Sequence, residues 1–134
     1  MLSKKTKYGI KALVYIAKQE DKIIPIRDIA ESEIISQKFL ESIMLSLKKS
    51  GIVGSKKGKT GGYYLIKSPE SITMSSVMRV LEGPIAMLPC VSLNFYEKCD
   101  DCPNEESCAI HGVMEELRDA SLSILNSKSL ADLI

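Results

Sequence analysis

The segment "GIVGSKKGKTGGYYLIK", residues 51–67, narrows the choice of fold more than any other part of the chain. β-prone Ile52 and Val53 on one side and Tyr63, Tyr64, Leu65 and Ile66 on the other flank a Gly- and Lys-rich tip, a pattern that predicts strand, turn and strand. Directly before it, "EDKIIPIRDIAESEIISQKFLESIMLSLKKSG" reads as a short helix from about Ile26 to Ser32, a brief break, and a longer helix opened by Ser36. The Ser36 hydroxyl can cap that longer helix. Phe39, Leu40, Ile43, Met44 and Leu47 form its inner stripe, and Gly51 closes it. Two short helices joined by a tight turn suggest a helix-turn-helix, although any helical hairpin could give the same pattern. A helix-turn-helix followed by a basic hairpin is a winged helix.

The tip also contains "GKT", which invites a phosphate-loop reading. That motif needs a glycine five positions before Gly58, where the chain has Val53, and a helix afterwards, where it has "GGYYLIK". Both requirements fail. Lys56, Lys57 and Lys59 instead stand on a hairpin tip, from which they can reach along a groove or a phosphate backbone. Gly61 and Gly62 read as residues of backbone conformation.

The rest of the chain is mainly helical. Residues 4–19 place Tyr8, Ala12, Tyr15 and Ile16 at helical spacing and predict a core helix. A further short helix is expected from about Thr73 to Leu81, ended by Gly83 and Pro84. Residues 85–107 show no sustained periodicity. From Cys108 to about Asn126, Ile110, Val113, Leu117, Ala120 and Ile124 recur at steps of three and four, a heptad seam too short for an independent coiled coil. Such a helix can pack against its counterpart in a folded dimer, or lie on its own domain's core. The last residues, "SKSLADLI", read as a short or frayed tail. The expected fold is mainly α with a small β-hairpin wing: a winged helix-turn-helix (1–84), a Cys-rich loop (85–107), and a long C-terminal dimerisation helix with its tail (108–134), together forming one structural domain.

With 134 residues, 45% of them hydrophobic, the chain can bury one ordinary core. Its net charge of +1 hides an asymmetry: residues 1–69 sum to about +8 and residues 70–134 to about −7. A basic first half is the footprint of a polyanion-binding surface, or else a set of solvated faces. No stretch approaches eighteen uninterrupted apolar residues, so no membrane span is expected. The N-terminus begins like a signal peptide, but Lys11 interrupts its apolar part and no small-residue cleavage site follows. A cytoplasmic location is therefore expected. There, four cysteines stay reduced, which turns attention from disulfides to metal or redox chemistry.

Three of those cysteines and the only histidine lie within "CDDCPNEESCAIH", residues 99–111, and Cys90 stands nine positions upstream. Thiolates and an imidazole at such separations can converge on one soft or borderline metal centre. Cys108 and His111, three apart, would share a helix face, and a helix N-terminus favours thiolate. Spacing leaves zinc and an iron–sulfur cluster both open. A thioredoxin-like dithiol lacks its βαβ surroundings here. No nucleophile, acid and base set surrounds His111, so no enzymatic activity is expected.

Here the residues resemble a family. "KKTKYGIKALVYIA", the middle stretch with its "SxKFLE", "LKKSGIV", "GxxGGYYL" and "VLEG" segments, and the Cys-rich run into a long helix are similar to the Rrf-two family of bacterial winged-helix regulators, over nearly the whole chain. The resemblance implies a homodimer on double-stranded DNA and, as in many members, a cluster held by three cysteines, with 2Fe-2S favoured over 4Fe-4S or zinc. It places the first cysteine at Cys90, the second at Cys102, the third at Cys108 and a histidine ligand at His111. The extra Cys99 leaves the second ligand open between Cys99 and Cys102. Some members use an acidic residue from the first helix, where this chain has Lys7. Likeness and helix geometry both point to Ser36, Gln37, Lys38 and Glu41 at base edges in the major groove. Lys57 matches a wing position that reaches the minor groove, with Lys56 and Lys59 on phosphates. The implied function is transcription regulation sensitive to redox state, nitric oxide or iron–sulfur status. Competing readings are a regulator with structural zinc or a thiol sensor, and a small redox or iron–sulfur assembly protein that binds no DNA.

Overall fold

A computed structural model describes residues 2–20 and 22–134. Helix α1 (Lys4–Lys18) opens at Ser3, whose side chain accepts the Thr6 amide, and buries Thr6, Gly9, Ala12, Leu13 and Ile16 along one face. Helices α2 (Ile26–Glu33) and α3 (Gln37–Lys49) follow. Ser36 caps α3 by accepting the Phe39 amide, and Gly51 ends it at φ +79°, a left-handed conformation that favours glycine. Leu40, Ile43, Met44 and Leu47 are fully buried. Phe39 departs from the expected inner stripe: it sits on the flank of α3, about a third exposed, with its ring edge-on to Tyr8 at 5.8 Å.

Strands β1 (Val53–Lys56) and β2 (Gly62–Leu65) pair antiparallel, with Val53 opposite Leu65 and Lys56 opposite Gly62. The connection after α1 adds a bridge that the sequence does not advertise. Ile24 and Tyr63 exchange two backbone hydrogen bonds of 2.8 Å, so the hairpin is tied to the start of α2. Gly62 is required by that approach, since a Cβ there would stand 2.2 Å from the Ile24 carbonyl oxygen. Close backbone contact, and not a positive φ, is thus what selects glycine at Gly62.

Helix α4 (Met74–Leu81), capped by Thr73, packs on α1 and α3, and Gly83 follows it at φ +99°. A loop with short 3₁₀ turns at Pro89–Val91 and Glu105–Ser107 leads to α5 (His111–Ser127). Two expectations are corrected at this end. The helix begins at His111, not Cys108, because Asn104 accepts the Glu106 amide and the Ser107 hydroxyl and closes a separate turn that leaves Cys108 extended. The tail is also docked and not frayed. Leu130 is fully buried in the main core, Met74 donates to the Lys128 carbonyl, and Leu130 donates to that of Ile72, at 2.9 and 2.8 Å. No helix among the described residues is long and apolar enough to cross a membrane.

Candidate functional site

The edge of α3 that the sequence singles out is open to solvent. Ser36, Gln37, Lys38 and Glu41 are all exposed, with the Gln37 amide 3.5 Å from the Glu41 carboxylate. Behind them the apolar stripe fixes the helix on the core, so a rigid scaffold presents short polar side chains at the N-terminal end of the second helix. The wing carries Lys56, Lys57 and Lys59, all exposed, around a tip that turns at Gly58 with φ +108°. Tyr63 of β2 lies close enough to α3 that burial, and then the Glu41 charge, raise its phenol above the usual value.

The cysteine loop is partly assembled. Cys90, in the Pro89–Val91 turn, is buried, and its Sγ lies 3.5 Å from Nδ1 of His111, the first residue of α5. Nε2 of His111 is 2.8 Å from the Glu115 carboxylate one turn along, which fixes the ring. Burial, the adjacent Cys99 thiol and the Glu105 charge push the Cys90 thiol up to about 11. Tyr96 donates to Glu105 on the outer side of this group. Cys99 and Cys102 close a tight turn through a 3.2 Å hydrogen bond from the Cys102 amide to the Cys99 carbonyl. Cys102 and Cys108 are half-buried on either side of the acidic turn at Glu105–Ser107. Arg118 of α5 reaches back to donate to the Val91 carbonyl at 2.9 Å, so two side chains of α5 hold the turn that bears Cys90.

A winged helix-turn-helix whose cysteine loop is fastened to a long C-terminal helix can be compared with known proteins. The family of iron-dependent transcriptional regulators named Rrf2 matches over residues 2–134. The chain belongs to the Rrf2 family. An rrf2-like HTH-type transcriptional regulator of Rhodobacter capsulatus is 38% identical, the match covering 100% of this chain and 92% of that protein. Among solved structures, the global cysteine regulator CymR of B. subtilis superimposes with a TM-score of 0.79 at 30% identity, covering 99% of this chain and 95% of that one. The IscR of T. potens does so at 0.75 and 30%, covering 99% and 85%.

Membership in Rrf2 makes this chain a DNA-binding transcriptional regulator and not an enzyme. An iron-dependent family raises the question of whether the loop suits an iron group. In kind the donors fit, since thiols and an imidazole are the ligands of iron–sulfur centres. In place, Cys90 and His111 meet, whereas among the described residues no three His, Cys, Asp or Glu side chains close on a point that would hold a single metal ion. Sequence reasoning missed Glu115 and Arg118. The i,i+4 spacing from His111 could have revealed Glu115, but nothing local marks Arg118, whose partner is a carbonyl 27 residues away.

Proposed function

We propose that this Rrf2-family chain is a homodimeric transcription regulator whose grip on DNA is controlled by an iron–sulfur cluster at the cysteine loop. Cys90, Cys108 and His111 would be ligands, with Cys99 or Cys102 as the fourth. The observation that carries the proposal is the 3.5 Å approach of Cys90 to His111 across 21 residues of sequence. His111 begins the helix whose outer seam, Ile110, Val113, Leu117 and Ile124, is left exposed. Donors spread along a loop suit a core with two metal atoms better than tetrahedral zinc, which needs four donors around one point.

Such a cluster would supply a redox- and nitric-oxide-sensitive link between loop and helix. The chain's own residues provide the transmission. Arg118 and His111 tie the Cys90 turn to α5, and a shift of α5 in a dimer moves the two second helices relative to each other. On the DNA side, Lys56, Lys57 and Lys59 add phosphate contacts, and Ser36, Gln37, Lys38 and Glu41 read base edges. Each lysine removed should make the slope of log affinity against log salt shallower by up to about 0.9.

Cys90→Ala tests the proposal. Purified without oxygen, it should lose iron and sulfide together and bind a DNA duplex with altered affinity in fluorescence anisotropy. Cluster content that survives the substitution, or vanishes without changing DNA binding, would refute the mechanism. The four free cysteines between positions 90 and 108 favour one second reading, a metal-free thiol sensor. That reading predicts a colourless protein whose duplex affinity follows the thiol oxidation state.

A further inference from the structure

A large cavity shares only Lys56 with the regions described above. It is a half-open groove of about 970 Å³ between the end of α1 and the near face of the wing. That volume is at the upper end of the usual range for small-molecule sites. Its floor is apolar: Ile16 is buried, and Ala17, Ile23 and Leu65 are half-buried around it. Its rim carries Lys22, Lys56 and Lys67 and, among the described residues, one carboxylate, Glu20. Among the described residues none of these three lysines is ion-paired. The hydroxyls of Ser55, Tyr64 and Ser68 complete the polar edge.

The walls are fixed before anything binds. The Ile24–Tyr63 hydrogen bonds pin the segment bearing Ile23 to β2. The Tyr64 ring lies flat across the strand, over Gly54, where a Cβ would stand 2.5 Å from the ring. A groove with a greasy floor and a cationic rim is complementary to a molecule with an anionic head and an apolar body. A phosphate backbone alone would use the rim and leave the floor wet.

We propose that this groove binds a small amphipathic organic acid, its carboxylate on Lys22, Lys56 and Lys67 and its apolar body on Ile16, Ala17 and Leu65, in competition with DNA for Lys56. Occupancy would take one wing lysine from the phosphates and so weaken DNA binding. The competition rests on the DNA-binding role proposed above, whereas the binding itself does not.

Octanoate is the probe, titrated into the full chain with methyl-labelled Ile, Leu and Ala followed by NMR. The expected result is saturable shifts at Ile16, Ala17, Ile23, Leu65 and Ile66, weakened about 5- to 10-fold by Lys22→Gln combined with Lys67→Gln. Octanol, with the same chain and no charge, and inorganic phosphate, a head with no body, should each bind far more weakly. Absence of saturation, equal binding of phosphate, indifference to the double substitution, or the same methyl shifts from a DNA duplex alone would each overturn the site. Saturating octanoate should reduce duplex affinity about threefold or more at low salt. Binding of octanoate with unchanged duplex affinity would overturn the competition, and a chain that bound no duplex under any condition would overturn the DNA-binding role instead.

Discussion

The seam of α5 gives the most quantitative test of how this chain associates. Ile110, at the N-cap of α5, and Val113, Leu117 and Ile124 along it remain 51%, 59%, 44% and 62% exposed. Fully burying an aliphatic side chain of this size contributes about 1.5–3 kcal/mol, so covering the exposed half of each contributes about 1 kcal/mol. Four such residues on each of two protomers offer roughly 8 kcal/mol, against which the lost freedom of two bodies must be set. Leu117→Glu removes about 2 kcal/mol of this across the pair and brings two carboxylates into a desolvated seam at a further cost of several kcal/mol. The dimer dissociation constant should therefore rise by about 1,000-fold or more. Because Leu117 is far from the main core, the isolated chain should still fold, which a circular dichroism melt checks. Sedimentation equilibrium of wild type and variant reads the effect. A variant that dimerises within about threefold of wild type would show that the seam is not the interface.

Other parts of the fold make their own predictions. Leu130→Ala, four residues before Ile134, should cost about 2–5 kcal/mol in urea denaturation because Leu130 is fully buried; a cost under about 0.5 kcal/mol would mean the tail is not docked. Ile34→Asn should stabilise by about 1 kcal/mol, seen as a rise in Tm. Ile34 is a β-branched residue held at φ 55° with its side chain 90% exposed, so the substitution relieves backbone strain and removes little packing. Glu82 accepts hydrogen bonds from Ser3 and Thr6, which lower its carboxyl below the usual range. A lowered carboxylate stabilises the fold above its unfolded pKa, and the gain is lost as pH falls through the folded value. Glu82→Gln should therefore cost about 1 kcal/mol at neutral pH and nothing once the wild-type carboxyl is protonated, and a difference that grew in acid would refute this.

The winged helix was legible because its signals are local. Ser36 and Gly51 bracket α3 through hydrogen bonding and φ, and the Gly- and Lys-rich tip marks the hairpin. The exposed polar edge of α3 follows from the buried stripe on its opposite face. What was not legible depends on contacts between distant segments. Leu130 reads as part of a short, frayed tail until the Ile72 carbonyl accepts its amide and the neighbouring Lys128 carbonyl accepts that of Met74. The start of α5 was misplaced by three residues because the heptad pattern extends through Ile110, while Asn104 closes its own turn just upstream. At the cysteine loop, spacing offered Cys90, Cys99, Cys102, Cys108 and His111 as candidate donors but could not say which meet. The contact the structure gives Cys90 is with His111, 21 residues on.

The central question for this molecule is whether its cysteine loop controls DNA binding. The most direct measurement is duplex affinity on one oxygen-free preparation, before and after its metal is removed, with iron, sulfide and zinc assayed on the same sample. The account predicts a brown protein with iron and sulfide in matching amounts, whose DNA affinity or sequence preference changes when they are lost. A colourless protein, or a brown one that binds DNA identically with and without its iron, would contradict it.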